Sequence, residues 1–87
     1  MKLRIRRSAK KALLDVDDDA AFFAIVRAIL DLEGNPRPRG YDMVEGRPEV
    51  YRIWIRRDWR VLYSIDSARG ELVVEAVRRK GETTYRA

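Results

Sequence analysis

Between Val50 and Val77 the chain alternates apolar and polar residues in three runs, and nothing else in it restricts the fold as strongly. The runs are Val50 to Ile55, Trp59 to Ile65 and Glu71 to Val77, separated by Arg57-Asp58 and by Asp66 to Gly70. A period of two is the period of a β-strand, and connections this short join antiparallel neighbours, so the runs predict a meander of hairpins. Parity then sorts the side chains. Tyr51, Ile53 and Ile55 share a face with Trp59, Val61, Tyr63 and Ile65, while Arg52, Trp54 and Arg56 share the opposite face with Arg60, Leu62 and Ser64. The first face has to be covered; the second is cationic.

The N-terminal half supplies the cover. Leu3 and Ile5 alternate with Lys2, Arg4 and Arg6, the pattern of a half-buried first strand. Ser8 offers an N-cap to a short helix from Ala9 to Val16, in which Ala9, Ala12, Leu13 and Val16 recur at helical spacing. Asp17-Asp18-Asp19 stands directly before a second apolar run, where carboxylates cap free N–H groups and complement the helix dipole; this reading is preferred to a metal cluster. Phe22, Ile25, Val26, Ile29 and Leu32 then form one stripe, and Gly34-Asn35-Pro36 stops the helix. Residues 34 to 48, rich in glycine and proline, read as a loop holding a short edge strand around Tyr41 to Val44. The expected architecture is α+β, a two-layer β-α-α-β-β-β sandwich: a twisted antiparallel sheet covered on one face by an α-helical hairpin. Residues 1–87 make a single domain.

Composition narrows the chemistry. The chain has 46% hydrophobic residues, enough for a compact core, and neither cysteine nor histidine. A disulfide framework, a thiolate metal site and an imidazole base are thereby excluded, and no metal or other cofactor is expected. No apolar run approaches the roughly 18 residues of a membrane span, and the opening residues lack a secretory h-region, so a cytoplasmic protein without membrane contact is expected. The formal net charge of +5 is unevenly spread. Residues 1–16 hold six cations against one carboxylate, residues 17–46 three against seven, and residues 47–87 ten against six. Two basic ends and an acidic middle fit a polyanionic partner such as nucleic acid.

Several segments carry a resemblance to the RelE/ParE superfamily of toxins from bacterial toxin–antitoxin modules. They are Gly46-Arg47-Pro48-Glu49-Val50-Tyr51-Arg52-Ile53-Trp54-Ile55, then Trp59-Arg60-Val61-Leu62-Tyr63-Ser64-Ile65-Asp66, then Val73-Val74-Glu75-Ala76-Val77-Arg78-Arg79, and finally Thr84-Tyr85-Arg86. In order and spacing this pattern is similar to the family's across nearly the whole sequence. The resemblance, with the RelE-like branch favoured, implies an endoribonuclease that enters the ribosomal A site and cuts messenger RNA. It also implies a cognate antitoxin, for which an acidic amphipathic segment suits the basic face. Matched by motif, the implied catalytic positions are Arg52, Arg60, Arg79 or Lys80, and Tyr85; Trp54, Arg56, Arg78 and Arg86 are candidate RNA contacts. Where the family carries lysines on the sheet, this chain has Arg52 and Trp54.

These residue types suit metal-independent cleavage by the ribose 2′-OH. Guanidinium groups give bidentate donors to a phosphate whose charge grows in the transition state, but they stay protonated and accept no proton. Surrounding cations favour phenolate, which makes Tyr85 the leading base candidate, with Lys80, Glu49 and Glu82 as the other proton carriers. Trp54 offers a plane on which an unpaired base stacks, or alternatively packs beneath an arginine stem. Two other readings stand beside the nuclease: a ParE-like inhibitor of DNA gyrase without nuclease activity, and a non-enzymatic RNA-binding module.

Overall fold

The computed structural model describes residues 1–80. Strand β1 (Lys2–Ile5) leads into helix α1 (Arg7–Leu14) and helix α2 (Asp19–Gly34), and strands β2 (Asp42–Val44), β3 (Arg47–Ile55), β4 (Trp59–Asp66) and β5 (Glu71–Arg79) complete the chain. The five strands form one sheet in the order β1-β5-β4-β3-β2. The meander from β2 to β5 is antiparallel, as alternation and short turns require. Strand β1 is the exception, lying parallel to β5 with Leu3 opposite Leu72 and Ile5 opposite Val74. The sheet is therefore mixed.

Local chemistry explains where the helices begin and end. Helix α2 starts because Asp18 caps it: its Oδ1 accepts hydrogen bonds from the N–H groups of Ala20 at 2.9 Å and Ala21 at 3.2 Å. Capping is thus what the acidic triplet does here, and among the described residues no three His, Cys, Asp or Glu side chains converge. Helix α1 begins two residues earlier than Ser8 suggests, with Arg6 as a cap whose side chain makes no capping bond. The Arg6 N–H bonds to the Val74 carbonyl at 3.0 Å, so the chain is still held to β5 when it turns into the helix. At the other end Val16 N–H reaches back to Leu13 O at 3.2 Å, outside the helix, and the chain crosses to α2.

The helices bury the face that parity assigned to them. Ile25, Ile29 and Leu32 of α2 and Ala9 and Leu13 of α1 pack on Ile53, Ile55, Val61, Tyr63, Leu72, Val74 and Val77. Burying a large aliphatic side chain in this way contributes about 1.5 to 3 kcal/mol each. Tyr63, completely buried, donates from its hydroxyl to the Pro36 carbonyl at 2.6 Å, which ties the loop after α2 to the middle of the core. No helix among the described residues is long and apolar enough to cross a membrane.

Candidate nucleic-acid interface

The open face of the sheet is built by register. Trp54 of β3 stands opposite Arg60 of β4, and Arg60 stands opposite Arg78 of β5, so three side chains line up across three strands. One row further in, Arg52 stands opposite Leu62, which stands opposite Ala76. Val61 and Val77, each next to one of these arginines along its strand, are buried on the helix side, as alternation demands.

Trp54 is the centre of the arrangement. It is 41% exposed, and its ring has Arg52 Cζ at 5.6 Å and Arg60 Cζ at 5.7 Å from the centroid. Both distances lie within the cation–π range. The guanidinium groups are thereby held against a rigid plane instead of sweeping through solvent, which reduces what a ligand must immobilise. Arg52 is fixed a second time, donating from Nη2 to Asp42 Oδ2 at 3.3 Å, and these two residues are register partners across β2 and β3. Its Nε is buried with no hydrogen-bond partner among the described residues. Such a donor is costly to leave unmet and is the kind of group an anion satisfies.

Not every residue expected on this face is there. Arg56 is displaced because the chain leaves the strand after Ile55: Arg56 and Arg57 take left-handed backbone with φ of 55° and 71°. The Arg56 guanidinium points instead to the α2 cap, 3.8 Å from Asp18 Oδ2. Arg79 also lies elsewhere. It is the register partner of Trp59 and places its Cζ 5.7 Å from that ring, on the side of the sheet where Val61 and Val77 are buried. Arg78, one residue earlier, is the cation that faces outward beside Arg60. Lys80 follows directly, exposed, with its backbone N–H donating to Asp58 O at 2.6 Å. Tyr85 and Arg86, like Glu82, lie outside the described residues.

Two supports of this face carry no obvious sequence signal. The register between β4 and β5 slips between Leu62 and Tyr63, so that Leu62 faces Ala76 while Tyr63 faces Val74 and Glu75 is the extra residue of a bulge. Glu75 accepts a hydrogen bond from Ser64 Oγ at 2.7 Å and pairs with Arg6. Arg4 pairs similarly with Glu71 at 3.5 Å. Arg4 and Arg6 are thus paired with carboxylates of β5, whereas the arginines around Trp54 form the basic part of the face. Asp42 is the other unexpected part, since its pairing with Arg52 depends on the register of a three-residue edge strand.

Solved structures share this architecture. The isolated Escherichia coli RelE toxin superposes with a TM-score of 0.76, at 17% identity over 98% of this chain and 92% of that one. The archaeal RelE–RelB complex from Pyrococcus horikoshii gives 0.73 at 24% identity, covering 93% and 96% of the two chains. A YoeB/ParE toxin from Agrobacterium tumefaciens gives 0.77 at 19% identity, covering 91% and 98%.

The chain has the RelE/ParE toxin fold.

No protein-family profile and no curated sequence gives a match, so the likeness rests on three-dimensional structure. Within the RelE/ParE fold this chain keeps the expected order of one strand, two helices and a meander, and carries its arginine–tryptophan row on the face the helices leave open.

Proposed function

We propose that this chain is the toxin of a toxin–antitoxin module and that it cuts messenger RNA on the ribosome as a metal-independent endoribonuclease. The observation that carries the reading is the Trp54–Arg60–Arg78 row with Arg52 beside it: an aromatic plane for an unpaired base, set among fork-shaped donors for phosphate. In the proposed reaction the ribose 2′-oxygen attacks phosphorus and the P–O5′ bond breaks, leaving a 2′,3′-cyclic phosphate and a free 5′-hydroxyl. Arg60 and Arg78 hold the non-bridging oxygens as negative charge builds on them. Tyr85, as phenolate, takes the 2′-OH proton, and Lys80 delivers one to the departing 5′-oxygen. Arg52 acts as a clamp, because a guanidinium does not exchange protons at neutral pH. Arg79, packed on Trp59, has no part in the row.

An antitoxin is proposed as the partner. The archaeal RelE neighbour is in complex with RelB, and this chain presents a cationic face that an acidic amphipathic segment complements. A cytoplasmic setting follows from the proposed target.

A second reading has one observation in its favour. Every cation described in the row is an arginine, so the row itself clamps anions and supplies no proton acceptor. A ParE-like gyrase inhibitor needs nothing more. The two separate on Tyr85: if the nuclease reading holds, Arg60→Ala and Tyr85→Phe each relieve the growth arrest caused by expressing the chain while its melting curve stays cooperative. Full toxicity in the Tyr85→Phe variant favours the gyrase reading, and full toxicity in both variants removes the proposed site.

A further inference from the structure

Helix α2 carries more apolar surface than the sheet covers. Ala21, Ile25, Ile29 and Leu32 are buried in the core, yet the opposite side of the helix presents Phe23, 66% exposed, and Leu30, 56% exposed. Phe23 is the most exposed large apolar side chain among the described residues. Its ring stands edge-on against Phe22 with the centroids 5.4 Å apart, which holds it as a fixed knob. Asp19, Phe23 and Arg27 follow one another at four-residue spacing along this side, and exposed Ala20 and half-buried Val26 lie three residues before and after Phe23. Among the described residues Arg27 pairs only with Asp31, at 4.0 Å, and the two side chains are 84% and 74% exposed. Contacts that open contribute little, so both groups can change partner at low cost. A row of exposed apolar side chains on a charged helix marks an interaction surface.

We infer that two copies of the chain meet on this side of α2, in an antiparallel helix pair whose two-fold axis passes beside Phe23. The surface is complementary to itself. With Phe23 against the partner's Phe23, Asp19 falls opposite the partner's Arg27 and Ala20 opposite the partner's Val26, because in an isologous pair residues equally far from the axis meet. Two ion pairs thus flank an aromatic contact, and the small Ala20 leaves room for the larger Val26. Leu30, seven residues from the axis, passes beyond the start of the partner's helix, over the connection that leads into it. An acidic segment of the kind that suits the basic face is a poorer occupant, since Asp19, Asp31 and Glu33 outnumber Arg27 on α2 and repel it. The pairing leaves the arginine–tryptophan row uncovered, because α2 packs on the other face of the sheet. A single helix pair buries less than the roughly 1,200 Å² of a standard interface, so the dimer is expected at micromolar rather than nanomolar chain.

The test is sedimentation velocity of the full chain from about 1 to about 300 µM, a range that spans a weak dimer. The mass is expected to rise from monomer to dimer with a midpoint in the tens of micromolar. Phe23→Glu, a surface change, weakens association by about 30-fold or more. Arg27→Asp and Asp19→Arg each weaken it when made alone, since like charges then face each other across the axis, and the double variant with the two charges exchanged recovers it. Asp18 remains as the α2 cap in all of these variants, and circular dichroism confirms the fold. A chain that stays monomeric at every concentration overturns the inference. So does a dimer that Phe23→Glu leaves intact, or an exchanged variant that associates no better than the single ones. If the chain is monomeric and Phe23→Glu instead abolishes capture of a co-expressed antitoxin, the surface belongs to that partner and the inference is wrong. The RNA-cleaving reading stands or falls separately, on the opposite face of the sheet.

Discussion

Replacing Arg60 by alanine separates the two kinds of contact that the basic face is proposed to make. If Arg52, Arg60 and Arg78 each neutralise one phosphate, log affinity for single-stranded RNA falls with log salt at a slope of about −2, since each contact on a single strand contributes about −0.7. Removing Arg60 lowers the slope to about −1.4. Between 50 and 200 mM salt, affinity then drops by roughly 7-fold in the variant against roughly 18-fold in the parent. Trp54→Ala behaves differently, costing about 1 to 3 kcal/mol at every salt concentration with the slope unchanged, because stacking releases no counterions. Neither change should unfold the protein: Trp54 is on the surface, and the Arg60–Trp54 contact contributes only about 0.5 to 1 kcal/mol to stability. Fluorescence anisotropy of a labelled octauridylate across a salt series reads both quantities. An unchanged slope in Arg60→Ala, with the fold confirmed by circular dichroism, refutes the assignment of this face to phosphate.

Three further outcomes are expected. The Tyr63 hydroxyl, buried in the core, has its pKa raised from 10.0 to about 12, chiefly by desolvation, with Tyr41 and Tyr51 adding to it and Arg37 opposing it. The folded state thus holds that proton more tightly than the unfolded one, so this contribution to stability is whole below pH 10 and is lost as pH rises through about 12. Tyr63→Phe loses the bond to Pro36, about 1 kcal/mol, but has no such decline, and denaturant titrations should show its deficit against the parent shrinking above pH 10; a constant deficit contradicts the placement. Asp18→Ala, which removes the α2 cap and the Arg56 pairing together, should cost about 1 kcal/mol and lower the melting temperature by about 4 to 8 °C, while Asp17→Ala leaves it nearly unchanged. Arg79→Ala should reduce RNA affinity less than Arg78→Ala in the same anisotropy assay, because only Arg78 faces outward beside Arg60; the reverse order contradicts the register.

Most of the fold was legible because alternation in β3, β4 and β5 was unbroken where it mattered. Parity put Arg52, Trp54 and Arg60 on one face and Ile53, Val61 and Tyr63 on the other, and the helical stripe of Ile25, Ile29 and Leu32 had to meet the second set. Parity failed for Arg56 because a strand pattern cannot show where the backbone turns left-handed without a glycine to mark it. Such a residue costs roughly 1 to 2 kcal/mol, which the hairpin and the Asp18 contact offset. Arg79 was placed by motif, although Val77 at the end of the run already assigned Arg78 to the outside and Arg79 to the inside. The parallel pairing of β1 with β5 joins residues almost seventy positions apart, and local periodicity says nothing about such a partner. The bulge at Leu62–Tyr63, which brings Glu75 to Ser64 and Arg6, was hidden because the apolar residues of β5 fall on both parities, so the change of buried phase from Leu72 and Val74 to Val77 leaves no mark in the sequence.

Sequencing the ends of cellular messages shortly after brief expression of the chain tests the central claim most directly. Scission inside codons of translated messages, beginning within minutes and absent from Arg60→Ala, is the predicted result. Intact messages together with a defect in DNA supercoiling would contradict the account and assign the arginine–tryptophan face to another target.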